Sequence, residues 1–219
     1  MSRFLDRAVT ALSVGLIVIG SLFLARPDSA VRAELDQWLT DRRIGRLIER
    51  DWDVLVASSA RMKDDQSSVR VIEFFDYQCP YCKWSHGTLT AAVTDLPTID
   101  IAYRHFPLPY HAAADGAARA AICAENQGRF WEMHTRLFTT DQWQADEQWM
   151  REATAAKVPD LETFAACLMD SRTTDRLTAD RRVAEELGID VTPTLVTKGG
   201  GITVGALKTP EIMALIGSH

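Results

Sequence analysis

Apolar positions along this chain form runs with different periods, and each period predicts a different element. The first run is continuous. Ala8 to Ala25 gives 18 positions without a charge, bracketed by Arg7 and Arg26. As a helix it would extend about 27 Å, close to the roughly 30 Å of bilayer hydrocarbon. With no polar face at the end of a chain, it does not read as a core helix. A cleaved signal is the competing reading. Cutting after Ala25 puts Phe23 at the position that wants a small residue, and cutting after Ala30 puts Asp28 there. The expectation is an uncleaved signal anchor over residues 1–26. Flanking arginines on both sides leave its orientation open.

The next run is periodic. Val31, Leu35, Trp38 and Leu39, followed by Ile44, Leu47 and Ile48, recur at helical spacing and predict a helix over 30–50. It reads as a stalk or packing helix, with a dimerising helix as the alternative. The polar stretch SSARMKDDQSS at 58–68 marks a boundary, so 27–66 is expected to be stalk and linker and 67–219 a folded domain.

Within that domain Val69–Phe75 is short, apolar, β-branched and aromatic, the pattern of a buried central strand. A second strand is predicted over Ile99–Phe106. From Ala112 to Leu187 nearly everything favours helix, and Gly188 is a fitting terminator. Val191–Thr197 reads as a third strand. Lys198–Gly201 turns the chain into a fourth, Ile202–Ala206, which forms a hairpin with the third. A last helix runs from Pro210 to Ile216. The order β-α-β, helical block, β-β-α predicts an α/β sandwich with a mixed sheet and a helical insertion at about 112–188.

Composition narrows the function classes. The chain has 219 residues, 47% of them hydrophobic and 25% charged, which suits one globular domain and excludes disorder. Its net charge of −6 leaves no basic surplus to neutralise phosphates, so nucleic acid is not expected as a partner. Four cysteines, Cys79, Cys82, Cys123 and Cys167, are too sparse for a disulfide-stapled scaffold.

Two of the four carry the candidate chemistry. Cys79-Pro80-Tyr81-Cys82 falls where a strand ends and a helix begins, with Pro80 at the first helical position, where proline is best tolerated. The amides of the first turn and the positive end of the helix dipole then face Cys79 and favour its thiolate, the reactive form. Lys83 and His86 are placed to add positive field. Cys82, one turn later, shares a face with Cys79 and can resolve a mixed disulfide formed there. A metal knuckle or a structural disulfide is the competing reading. Four-thiolate zinc usually needs a second close pair, and Cys123 and Cys167 are not one. No metal site is expected. Glu73 stands out inside VIEFF, since a carboxylate in a buried strand needs a role or a partner; the bland reading is an edge position facing solvent. Asp76 is expected to cap the helix opening at Cys79. His105 reads as structural, and Trp84, Phe130, Trp131 and Phe138 as core or groove lining.

VIEFFDYQCPYCKWSH at 71–86, YRHFPL at 103–108, AARAAICAENQGRFWEMHTRLF at 117–138 and GIDVTPTLV at 188–196 together resemble the DsbA-like branch of the thioredoxin superfamily, the bacterial extracytoplasmic thiol–disulfide oxidoreductases. The resemblance implies a thioredoxin fold with a helical insertion between the second strand and a cis-proline strand, Pro193 being that proline. It also implies that Pro80, Tyr81 and Thr192 face substrate, which binds as an added strand, and that Glu73 relays a proton to or from Cys82. Similar family members bridge the insertion at the positions of Cys123 and Cys167. Two free buried thiols are the other reading of that pair.

The expected activity is therefore thiol–disulfide exchange on cysteines of exported proteins. It would be oxidation, as Glu73 and the insertion suggest, or reduction and isomerisation, as Thr192 before Pro193 suggests. No cofactor beyond the dithiol is expected. The expected partners are cysteine-containing exported proteins, a membrane redox partner, and the inner membrane itself through the N-terminal helix, with the catalytic domain in the periplasm. The alternative is a redox-inactive or metal-carrying thioredoxin-like binding module or chaperone.

Overall fold

The computed structural model describes residues 30–62, 68–96 and 98–217. The apolar run at 8–25 lies outside them. Among the described residues no helix is long and apolar enough to cross a membrane. The chain divides into two compact units, residues 1–46 and 47–219.

Helix α1 spans Ala30–Ala57, running past the predicted end at residue 50. The continuation carries Trp52 and Leu55, which with Ile48 are buried in the second unit. In the first unit Val31, Leu35, Trp38 and Leu39 are exposed. The helix there is laced by an Arg32–Asp36 ion pair, a Gln37–Asp41 hydrogen bond and the Arg42 guanidinium 4.6 Å from the Trp38 ring. These i,i+4 pairs each add a few tenths of a kcal/mol to a helix, about 0.2–0.5.

In the second unit a five-stranded sheet has the order β1-β3-β2-β4-β5. The strands are β1 (Ala60–Arg61), β2 (Ser68–Phe75), β3 (Ile99–His105), β4 (Thr194–Thr197) and β5 (Ile202–Val204). Strand β2 is central, parallel to β3 and antiparallel to β4. Its inner half, Val71 to Phe75, is buried throughout, as a strand covered on both faces must be. Strand β1 was not visible in the sequence, because two residues give no period; it pairs with β3 through Ala60↔Tyr103. Strand β4 starts at Thr194, not at Val191. Pro193 has no N–H to give a ladder, so the strand begins after it.

Helix α2 (Pro80–Asp95) follows β2. The helical insertion is six helices: α3 (Ala114–Glu125), α4 (Phe130–Thr139), α5 (Trp143–Asp146), α6 (Trp149–Ala155), α7 (Leu161–Met169) and α8 (Ser171–Glu186). Side-chain caps set the last two starts. Asp160 accepts from the amides of Glu162 and Thr163, and Asp170 from that of Arg172. Gly188, at φ 70°, ends the block in the left-handed conformation that glycine adopts without penalty. Helix α9 (Thr209–Gly217) closes the chain and packs on α2.

One core runs from the sheet into the insertion. Phe75 meets Tyr77, Tyr103, His134 and Phe138 at ring separations of 4.9, 6.0, 5.0 and 5.8 Å. Buried Arg104 of β3 ties three elements together. It pairs with Asp180 of α8 at 2.7 Å and donates to the Leu55 carbonyl at the end of α1 at 2.6 Å.

Candidate active site

Strand β2 delivers its last residues to the carboxyl edge of the sheet, and Asp76–Gln78 turn the chain into α2. Cys79 is the N-cap of that helix, extended at φ −74° and ψ 120°, and Pro80 takes the first helical position. No side chain caps the helix. The expectation for Asp76 is therefore corrected. Its Oδ1 accepts from the Gln78 amide, while its Oδ2 accepts from the Leu108 amide at 2.7 Å and pairs with His111 Nδ1 at 2.8 Å. The Ala113 amide donates to Gln78 Oε1 at 2.6 Å. Asp76 and Gln78 thus clamp the loop after β3 onto the active-site turn.

Cys79 and Cys82 are both free thiols. Their environments differ. Cys79 is 5% exposed and Cys82 fully buried. A hydrogen bond from Cys82, with help from Thr192 and the amides of Cys82 and Tyr81, brings the Cys79 thiol down to a pKa of about 5 against the opposing effect of burial. Cys82 is pushed well above the ordinary thiol range by burial, by that same hydrogen bond, and by the charges of Glu73 and Cys79. One sulfur is thus a thiolate at neutral pH and the other keeps its proton.

The Thr192–Pro193 peptide bond is cis, and Cys79 Sγ lies 3.3 Å from the Thr192 carbonyl oxygen. The chain segment 113 residues away in sequence is therefore in contact with the Cys79 sulfur. Tyr81, 66% exposed, stands on the outer side of the first turn of α2, and Pro80 is also exposed.

Glu73 is 1% exposed and lies on the central strand, so the edge reading does not hold. Ser85 Oγ donates to its Oε1 at 2.7 Å. Burial raises the carboxyl to a pKa of about 8; the Ser85 hydrogen bond opposes this and the Cys79 charge adds to it. Ser85 was not singled out in the sequence, although a serine one turn after Cys82, on the face turned to the strand, is the signal that was there.

His86 does not supply positive field. Burial between Phe138 and Trp131, at ring separations of 5.1 and 5.3 Å, depresses it to about 4, so it is neutral near pH 7. Lys83 is paired with Asp141 at 2.8 Å. His105 is buried against Phe75 and held to about 3 by burial and by Arg176. His134, likewise missed in the sequence, sits at the centre of this aromatic cluster with Nδ1 3.1 Å from the Tyr77 hydroxyl. Phe130 and Phe138 are core, whereas Trp84 is exposed.

Away from the dithiol, Cys123 of α3 and Cys167 of α7 form a disulfide, with Cα atoms 5.7 Å apart. Thr173 Oγ1 lies beside both sulfurs.

A family model described as Thioredoxin matches residues 61–215. The fold is similar to that of a linker-deletion mutant of ScsC from Proteus mirabilis, with a TM-score of 0.71, 19% identity, and coverage of 97% of this chain and 93% of that one. It is similar also to the thiol-disulfide exchange protein alpha-DsbA2 from Wolbachia pipientis, with a TM-score of 0.70, 20% identity, and coverage of 81% and 96%. Among curated proteins, the Na(+)/H(+) antiporter NhaA 3 of Salinispora tropica is 32% identical over 135 residues, 61% of this chain and 21% of the antiporter. The chain thus spans about a fifth of the length of that relative.

Proposed function

Because the chain belongs to the thioredoxin family, whose model covers residues 61–215, we propose that it is a DsbA-like thiol–disulfide oxidoreductase working through Cys79 and Cys82. The observation that carries this reading is the opposed pair of thiols. Cys79 is a thiolate above about pH 5 at a helix N-terminus beside Thr192 and Pro193, and Cys82 stays protonated within one turn of it. A metal knuckle needs both sulfurs as thiolates, whereas an exchange couple needs one to attack and one to follow.

In the reducing direction the Cys79 thiolate attacks one sulfur of a substrate disulfide, and the other substrate sulfur leaves as a thiolate. Cys82 then gives its proton to the Glu73 carboxylate and attacks the Cys79 sulfur. The second substrate thiolate leaves, Cys79–Cys82 closes as a disulfide, and two electrons have passed to substrate. In the oxidising direction a substrate thiolate attacks the Cys79 sulfur of the disulfide, and Cys82 leaves and takes the Glu73 proton. A second substrate thiolate then attacks the substrate sulfur of the mixed disulfide, releasing the Cys79 thiolate. A carboxyl titrating at about 8 is suited to both roles near neutral pH. The thiolate-stabilised Cys79 favours the reduced form of the couple and so supports the oxidising direction.

The substrates in this reading are cysteines of exported proteins, offered as an extended segment to the Thr192 backbone between Tyr81 and Pro193. The N-terminal segment 1–26, with its apolar run, anchors the chain in the inner membrane, the first part of α1 up to residue 46 is the stalk, and the catalytic unit, 47–219, faces the periplasm. The Cys123–Cys167 bridge supports that side, since such bonds persist in oxidising compartments. A membrane redox partner resets the dithiol. The test pairs insulin reduction with refolding of a reduced, scrambled disulfide protein. Activity in either assay, lost in Cys79→Ser, is expected. A wild-type protein inert in both and holding Zn(II) or Cu(I) tightly at the dithiol contradicts the reading.

A further inference from the structure

We propose that Ser85 is the positioning residue for Glu73 in thiol–disulfide exchange: its hydroxyl fixes the carboxyl beneath the dithiol and holds it ready to exchange a proton with Cys82. The role rests on the oxidoreductase reading and deepens it. Ser85 is fully buried on α2, where a hydroxyl without a partner would cost about 1–3 kcal/mol. It stands three residues after Cys82, one helical turn, so both side chains project from the face of α2 turned to β2. From there its Oγ reaches Glu73 Oε1 at 2.7 Å, a full-strength O–H···O bond.

The surroundings of Glu73 leave this bond much to decide. Across β4 its register partner is Leu195, which offers nothing polar. Across β3 the partner is Tyr103, whose buried hydroxyl makes no hydrogen bond among the described residues. Tyr77, in the turn after β2, has its hydroxyl against His134. Cys79, the N-cap of α2, and Cys82 on α2 are also coupled electrostatically to Glu73, as are Tyr77 and Tyr103. A serine hydroxyl suits a carboxyl that changes protonation during turnover, because it donates to the carboxylate and accepts from the acid without moving. An alanine there would leave the carboxylate short of a donor and favour the protonated form, against the direction in which Ser85 acts.

The experiment compares wild type, Ser85→Ala, Ser85→Thr, Glu73→Gln and the Ser85→Ala/Glu73→Gln double variant as the full chain. Two readouts run side by side: the pH titration of the Glu73 carboxyl by carbon NMR in the reduced protein, and the pH profile of resolution of a Cys79–glutathione mixed disulfide. Ser85→Ala is expected to move both inflections upward by about one pH unit, the size of a lost hydrogen bond to a charged group, and to slow resolution about tenfold near pH 7. Ser85→Thr, which keeps the hydroxyl, is expected to return both toward wild type. The double variant is expected to match Glu73→Gln alone. An Ser85→Ala profile superimposable on wild type, or a double variant much slower than Glu73→Gln, overturns this role and leaves the oxidoreductase reading intact. A wild-type protein that resolves no mixed disulfide at any pH overturns that reading, and this role with it.

Discussion

Cys79, Cys82 and Glu73 lie within ten positions of one another, and each has a proton affinity far from that of its free side chain. Their shifts have separate causes. Cys79 is drawn down chiefly by the Cys82 hydrogen bond, whereas Glu73 is pushed up chiefly by burial. Thiolate absorbance of the reduced protein is therefore expected to titrate near pH 5 and to vanish in Cys79→Ser. In Cys82→Ser the midpoint of Cys79 is expected to move, because its main hydrogen-bond partner has changed; a wild-type midpoint near that of a free thiol contradicts this account. Glu73 gives a second expectation, with its sign set by linkage. Its folded pKa of about 8 exceeds the ordinary 4.5, so its contribution to stability is full below pH 4.5, falls through the interval, and is gone above about 8. Wild type is thus expected to lose stability relative to Glu73→Gln as pH rises from 4.5 to 8, read by denaturant melts of the reduced proteins. The same substitution removes a general acid–base and is expected to slow exchange on the order of 10²-fold. Cys79, Cys82 and Glu73 were legible in the sequence because spacing and an out-of-place charge mark them. Ser85, His134 and the Asp76–His111 pair were not, since each depends on a partner that only the folded chain brings near.

At the scale of elements, the site is the meeting of a strand end, a helix start and a proline loop. Strand β2 and helix α2 could be read from period and from Pro80; strand β1 and the true start of β4 could not, being too short or too interrupted to show one. The insertion is braced at two places remote from the dithiol. The Cys123–Cys167 bridge joins α3 to α7 across a sequence separation of 44. Replacing both cysteines by alanine is expected to lower stability by about 2–4 kcal/mol, from the greater freedom of the unfolded chain, while leaving the midpoint of Cys79 unchanged. An altered thiolate midpoint with unaltered stability would reverse those assignments. Arg104 is the second brace. Arg104→Met takes the nearer of two cations from buried Asp180, leaving Arg176 at 3.8 Å and the His105 amide at 3.1 Å, and is expected to cost up to about 3–5 kcal/mol in a denaturant melt, part of it recovered in Arg104→Met/Asp180→Leu. A loss below 1 kcal/mol would mean that the interface between β3, α8 and the end of α1 holds without the pair.

For the whole molecule, the order of strands and helices in the sequence already implied the mixed sheet with a helical block inserted before the proline strand. What it did not reveal was the division of labour along α1. Residues 47–57 belong to the unit that carries the dithiol, with Ile48, Trp52 and Leu55 buried, so that compact unit begins some twenty residues before the polar boundary at 58–68 suggested. The physical reason is that one continuous helix carries two different faces, and a polar loop after it looks like a domain edge. In the proposed function the Cys79–Cys82 pair of this unit is a reversible redox couple. Equilibration of the full chain with glutathione buffers, read by trapping both thiols, decides it. A reversible two-electron transition between about −270 and −120 mV is expected, with the oxidising end favoured by the acidic Cys79. A pair that cannot be oxidised, or one that stays closed to below about −300 mV as structural disulfides do, would contradict it.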